Sequence, residues 1–142
     1  MTSPESCAFC NPEILERRII RLGETCLSIV SLPRFREGHV LVIPRRHVVR
    51  LSDLTSDEGA EMMLEAGRLG EQLDMGYGTG MMQKYQPTQT ENGVKMDHLH
   101  LHIFPRLEHE MGLFPVPEPN DFHGFDKEVP IEELTALAQK LR

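Results

Sequence analysis

The chain has 142 residues, of which 26% are charged and 39% hydrophobic, and a formal net charge of −7. That length suits one domain with its own core. The acidic balance argues against a nucleic-acid partner, which needs a Lys/Arg footprint, and no apolar run approaches the ~20 residues that span a bilayer. The opening MTSPESCAFC carries neither a charged n-region nor an apolar h-region, so the expectation is a cytoplasmic protein that does not engage membranes.

Residues 7–10, CAFC, form a Cys-x-x-Cys pair. Three cysteines do not make a disulfide framework, and Cys26, alone in an apolar stretch, reads as a small buried hydrophobe. TCLSIVSL (25–32) predicts a strand ended by Pro33, and HVLVIP (39–44), rich in β-branched residues, predicts a second stopped by Pro44. PRRHVVR (44–50) is locally basic, and Lys84, Lys95 and Arg106 flank a later histidine stretch. Such a loop is either a solvated connection or a positive pocket for a small anion. A helix follows: Thr55 and Glu58 fit a capping box, and Met62, Ala66, Leu69 and Leu73 recur on one face.

GMMQKYQPT (80–88) predicts a third strand with Pro87 near its end, QTENGV a turn, and DHLHLHIF a fourth strand. From Pro105 to Val129 prolines stand at 105, 115, 117 and 119 with no clean period. Pro130 then opens a helix striped by Ile131, Leu134, Ala138 and Leu141, with Lys140 and Arg142 at its C-terminal dipole end. Strands run together with one long inserted helix and one C-terminal helix, which predicts an α+β fold on an antiparallel sheet.

Two stretches invite a functional reading. GYGTG lies after a helix and before a strand, the reverse of a phosphate-cradling loop, and reads as a helix stop and turn. MDHLHLHIFPR (96–106) is different: His98, His100 and His102 at two-residue spacing share one face of a strand, about 6.7 Å apart. Leu99, Leu101 and Ile103 then form the apolar back face. Alternate histidines on a strand can ligate a metal. Alternatively the middle imidazole is a nucleophile whose neighbours fix its tautomer and bind oxyanions. Spacing alone leaves both open.

The order GHVLVIPRRH (38–47), helix, glycine-bearing turn, HLHLHIFPR resembles the histidine triad family of nucleotide-binding proteins. The family pairs a His-x-His-x-His signature with an upstream GH-x-LVIP-x-x-H segment. With the CxxC, the likeness covers residues 7–106 of a single domain spanning 1–142; residues 107–142 add a proline-rich extension and the last helix.

The resemblance implies that His100 is the nucleophile attacking the α-phosphorus of a nucleotide derivative, a phosphoramidate or dinucleoside polyphosphate, through a nucleotidyl-histidine. It implies that His102 binds phosphate and assists the leaving group or water, and that His39 is an accessory active-site residue. Transferase branches carry Gln where His102 stands, so the His points to hydrolysis. A non-catalytic nucleotide-binding module and a nucleotidyl transferase are the rival readings. Some members with an N-terminal CxxC hold structural zinc, and the resemblance implies such a site here at Cys7, Cys10, His47 and His98; a redox pair is the competing role for such cysteines. Family members commonly form homodimers. The chain departs from the pattern at Ser31, where members carry a ribose-binding Asp, and at Val94 and Lys95, where they carry Gln and Ser/Thr. Lys95 is a candidate cationic phosphate contact, and Gln89, with Gln83 and Gln86, a candidate replacement for lost polar contacts.

Overall fold

A computed structural model of the chain describes residues 7–76, 78–84, 88–89, 95–96, 98–108 and 128–142, apart from the side chains at 14, 81–84, 88–89 and 95–96. The strands are β1 (Ile19–Leu22), β2 (Cys26–Val30), β3 (Val40–Pro44), β4 (Thr79–Lys84), β5 (Thr88–Gln89), β6 (Lys95–Met96) and β7 (His100–Pro105). The helices are α1 (Pro12–Leu15), α2 (Ser56–Leu73) and α3 (Ile131–Leu141). Five strands form one antiparallel sheet in the order β1-β2-β3-β7-β4, and β5 pairs separately with β6. This is the expected α+β architecture, with α2 inserted between β3 and β4.

Alternation along the strands divides two cores. Cys26 and Val30 of β2, Val40 and Val42 of β3, and Leu101 and Ile103 of β7 pack against the predicted α2 stripe and against Leu134, Ala138 and Leu141 of α3. The opposite residues, Leu27, Ile29, Leu41 and Ile43, pack against Cys7, Phe9 and Leu15 of the N-terminal segment. Both sheet faces are therefore covered, and β2, β3 and β7 are buried throughout. α2 starts where its capping box predicts: Thr55 Oγ1 accepts the Glu58 N–H and Glu58 Oε1 accepts the Thr55 N–H.

Several boundaries differ from expectation. β1 was not predicted; it is an edge strand in which only Ile20 is buried, with a register shift between Ile19 and Arg21. The strand expected over 80–88 ends at Lys84, and a separate short pair brackets residues 90–94, which lie outside the described residues. β7 begins at His100 rather than Asp97, because backbone and side-chain bonds draw His98 and Leu99 toward the loop after β3. Residues 109–127 of the proline-rich stretch also lie outside the description.

Candidate active site and metal site

Two neighbouring β7 positions, His100 and His102, project from the sheet face opposite α2, with ring centroids 4.8 Å apart. The residue just before β3 is His39, whose ring lies 5.1 Å from that of His102. Gly38, at φ +88°, makes the turn that delivers it, and a Cβ there would meet Pro105 at 3.0 Å. All three imidazoles are buried.

Their hydrogen bonds fix the tautomers. The Phe35 N–H donates to His39 Nδ1 at 2.9 Å, so the proton of neutral His39 sits on Nε2. His39 Nε2–H in turn donates to His102 Nδ1 at 2.9 Å, which leaves the His102 proton on Nε2. His100 is the reverse. Its Nδ1–H donates to the His98 carbonyl at 2.6 Å, so its Nε2 carries the lone pair. The strand thus presents a nucleophilic nitrogen beside a hydrogen-bond donor. Burial, then the nearby His100 and Arg36, push the His39 pKa down to about 3, which keeps it neutral.

The second cluster adjoins the first. Cys7 caps one 3-10 turn, Ala8–Cys10, and Cys10 ends it. Both sulfurs lie 3.4 Å from His98 Nδ1, and Cys10 Sγ lies 3.2 Å from His47 Nδ1. The four ligand atoms all fall within 4.8 Å of one another. His98 Nε2–H donates to the Pro44 carbonyl at 2.8 Å, which turns the Nδ1 lone pair toward the thiols. Two sulfurs and two correctly oriented nitrogens fit a closed tetrahedral metal site. All three cysteines are free thiols. Cys26 is buried as expected; burial first, then Glu61 and Glu65, push its thiol up to about 12, which makes it inert.

The structure brings together His39, His100 and His102, and separately Cys7, Cys10, His47 and His98. The side chains of Lys95 and Gln89 lie outside the described residues. Ser31 is buried and its hydroxyl donates to the Pro33 carbonyl at 2.9 Å, an internal use. The basic loop is solvated, as one reading held, yet its arginines are engaged: Arg45 reaches the Gly23 carbonyl and Arg46 reaches Glu58. Within GYGTG, Asp74 Oδ1 accepts the amides of Gly76 and Gly78, and Thr79 and Gly80 already belong to β4.

Sequence reasoning missed Phe9. Its ring stands edge-on to His98 and His100, at 5.8 and 5.2 Å between centroids, and walls both clusters. Its place inside CAFC was the available signal. Arg36, over the rings of Phe35 and Phe104, was also missed.

Residues 12–109 match the HIT domain family model. A bifunctional bis(5'-adenosyl)-triphosphatase/adenylylsulfatase of Arabidopsis thaliana is 32% identical over 101 residues, 71% of this chain and 56% of that protein. The chain thus spans a little over half of that relative. An adenosine 5'-monophosphoramidase of Schizosaccharomyces pombe is 27% identical over 113 residues, 76% of this chain and 80% of the relative. Among solved structures, a zinc-bound histidine triad family protein from Mycobacterium smegmatis superposes with a TM-score of 0.58 at 23% identity, covering 98% of this chain and 97% of that one. Motif, fold and family model agree: the chain belongs to the HIT, or histidine triad, family.

Proposed function

We propose that the chain is a nucleotide hydrolase acting at the α-phosphate of a phosphoramidate or dinucleoside polyphosphate, with His100 as nucleophile. The observation that carries this reading is the His100 Nδ1–H bond to the His98 carbonyl, which commits the Nε2 lone pair to attack. Relatives named as a triphosphatase and a phosphoramidase support the substrate class. His100 Nε2 forms a bond to phosphorus while the bond to the leaving group breaks with its electron pair on that group. A polyphosphate departs as a stable anion; an amine takes a proton from solvent. Water then attacks, its proton is released, and the phosphorus–nitrogen electron pair returns to His100. His102, held as the Nε2–H tautomer by His39, donates to the phosphoryl oxygens in both steps. In that tautomer it acts as a donor rather than as the acid. Lys95 and Gln89 are proposed phosphate contacts.

Cys7, Cys10, His47 and His98 are the proposed ligands of a structural zinc ion, which supplies folding energy and no chemistry. Thiol ligands suit a reducing compartment, consistent with a cytoplasmic protein. Among the described residues no helix is long and apolar enough to cross a membrane. The proposed assembly is a homodimer joined along β4 and α2. β4 is a sheet edge, and beside it a groove of about 410 Å³ is lined by Met63, Ala66, Gly67, Gly70, Thr79 and Ile103.

The test is a rapid quench with an adenosine phosphoramidate and a diadenosine polyphosphate, followed by mass spectrometry. A nucleotidyl adduct on His100 is expected, with turnover abolished in His100→Ala while the nucleotide still binds. Near-native turnover of His100→Ala would remove the triad from the chemistry and leave a binding module. Products extended by added phosphate in place of water would indicate a transferase.

A further inference from the structure

Glu58 was singled out in the sequence only as a capping residue, yet it is 5% exposed and carries more than a cap. Its Oε1 accepts the Thr55 N–H at 2.9 Å and Arg46 Nη2 at 2.7 Å, and its Oε2 accepts Arg46 Nε at 3.1 Å. The same Arg46 Nη2 donates to the Asp53 carbonyl at 2.8 Å. One guanidinium thus ties the loop after β3 to both the approach and the first turn of α2. The next residue along that loop is His47, whose Nδ1 faces Cys10 Sγ at 3.2 Å. Beyond it, the Val48 carbonyl accepts the Leu99 N–H at 2.7 Å, which stitches the loop to the residue following His98.

We propose that the Glu58–Arg46 pair, a buried carboxylate holding a half-exposed guanidinium, is a positioning clamp for the metal-ligating loop, holding His47 where its Nδ1 completes the Cys7–Cys10–His98 set. The Arg46 guanidinium bonds to Glu58 and to the Asp53 carbonyl rather than to a ligand side chain. It acts by fixing the backbone immediately before His47, so that less ordering is left for the moment of metal capture. The loop has a firm attachment on the β7 side through Val48 and Pro44, and the arginine supplies the attachment on the α2 side. Linkage makes the effect reciprocal: a bound metal ion favours the docked loop, and through it the capped start of α2. The bidentate geometry explains why arginine is needed, since lysine cannot span both carboxylate oxygens and the Asp53 carbonyl at once.

This inference rests on the metal reading above, and the experiment separates their failures. Zn(II) and Co(II) affinities are measured by chelator competition and by the Co(II)–thiolate absorption, alongside the melting temperature of the metal-free protein. Glu58→Gln keeps an oxygen for the Thr55 cap but places an amide N–H₂ against Arg46 Nε. It is expected to weaken metal binding by about tenfold, the lower end for groups that orient metal ligands. Arg46→Lys should fall between it and the wild type.

Glu65→Gln is the control. It breaks another ion pair of α2, the 2.6 Å contact with Arg68, and should lower the melting temperature with metal affinity unchanged. Wild-type protein that captures neither ion overturns the metal site itself. Wild-type capture with Glu58→Gln equally tight, or with Glu65→Gln equally weakened, overturns the clamp.

Discussion

The Phe35 amide reaches His39 Nδ1 at 2.9 Å, and that one bond propagates through His39 to set the proton of His102. The sequence made His39 and His102 visible as letters, but backbone amides have no letter, so the source of the order was illegible. Ser31 shows the opposite limit. Its departure from the family pattern was plain, yet its inward bond to the Pro33 carbonyl depends on a local turn that spacing does not encode. The tautomer chain needs His39 neutral, and this has a measurable cost at low pH. Its folded pKa lies near 3, below the ordinary value of 6.5, so the unfolded chain binds the extra proton between those values. Stability is therefore full above pH 6.5 and falls as pH drops toward 3, at up to about 1.4 kcal/mol per pH unit for one proton. His39→Gln retains an acceptor and a donor without titrating. In urea unfolding of the metal-free proteins from pH 7 to pH 4.5, the wild type should lose stability relative to this variant. Parallel pH curves would show that His39 is protonated in the fold.

At the scale of elements, α2 was the most legible because two independent signals coincide. The Thr55–Glu58 box sets its start, and the 3.6-residue spacing of Met62, Ala66, Leu69 and Leu73 sets its buried face. β1 was illegible for a physical reason: at a sheet edge with an irregular register it buries one residue and leaves no alternation to read. Apolar back-face residues did predict β7, but only tertiary bonds reveal that the strand starts at His100 and that His98 is turned toward the cysteines. β4 meets β7 through a close approach at Gly80, which pairs with Phe104. A Cβ at Gly80 would lie 2.6 Å from the ring atoms Cε2 and Cζ of Phe104. Phe104 in turn packs edge-on against Phe35 and His39, so the contact bears on the site as well as on the sheet. Gly80→Ala is expected to cost about 1–3 kcal/mol through overpacking. Adding Phe104→Leu removes the clashing ring atoms and should cost less than the sum of the two single changes. Simple additivity in chemical denaturation would mean that the ring already moves aside freely.

At the scale of the whole molecule, the sheet's two edges differ, among the described residues, in what covers them. β1 is irregular, and Arg142 of the C-terminus donates to the Ile19 carbonyl on that strand. β4 is the other edge, and the α2 face beside it carries Met63, 55% exposed, next to Gly67 and Gly70. Small residues flanking an apolar side chain let a second helix approach closely, and an edge strand offers backbone groups for pairing. A two-fold copy satisfies both demands with one self-complementary surface. Leu64 is more exposed still, at 76%, but it borders the groove on the β1–β2 side of α2, away from this surface. The two leucine-sized side chains therefore make a matched pair of probes on one helix. Met63→Glu should place a desolvated charge in the proposed interface and shift the protein to monomer at micromolar concentration in sedimentation velocity. Leu64→Glu should leave the dimer intact. A wild-type monomer would overturn the proposed dimer, and a dimer lost to Leu64→Glu but kept by Met63→Glu would move the interface off the β4 edge.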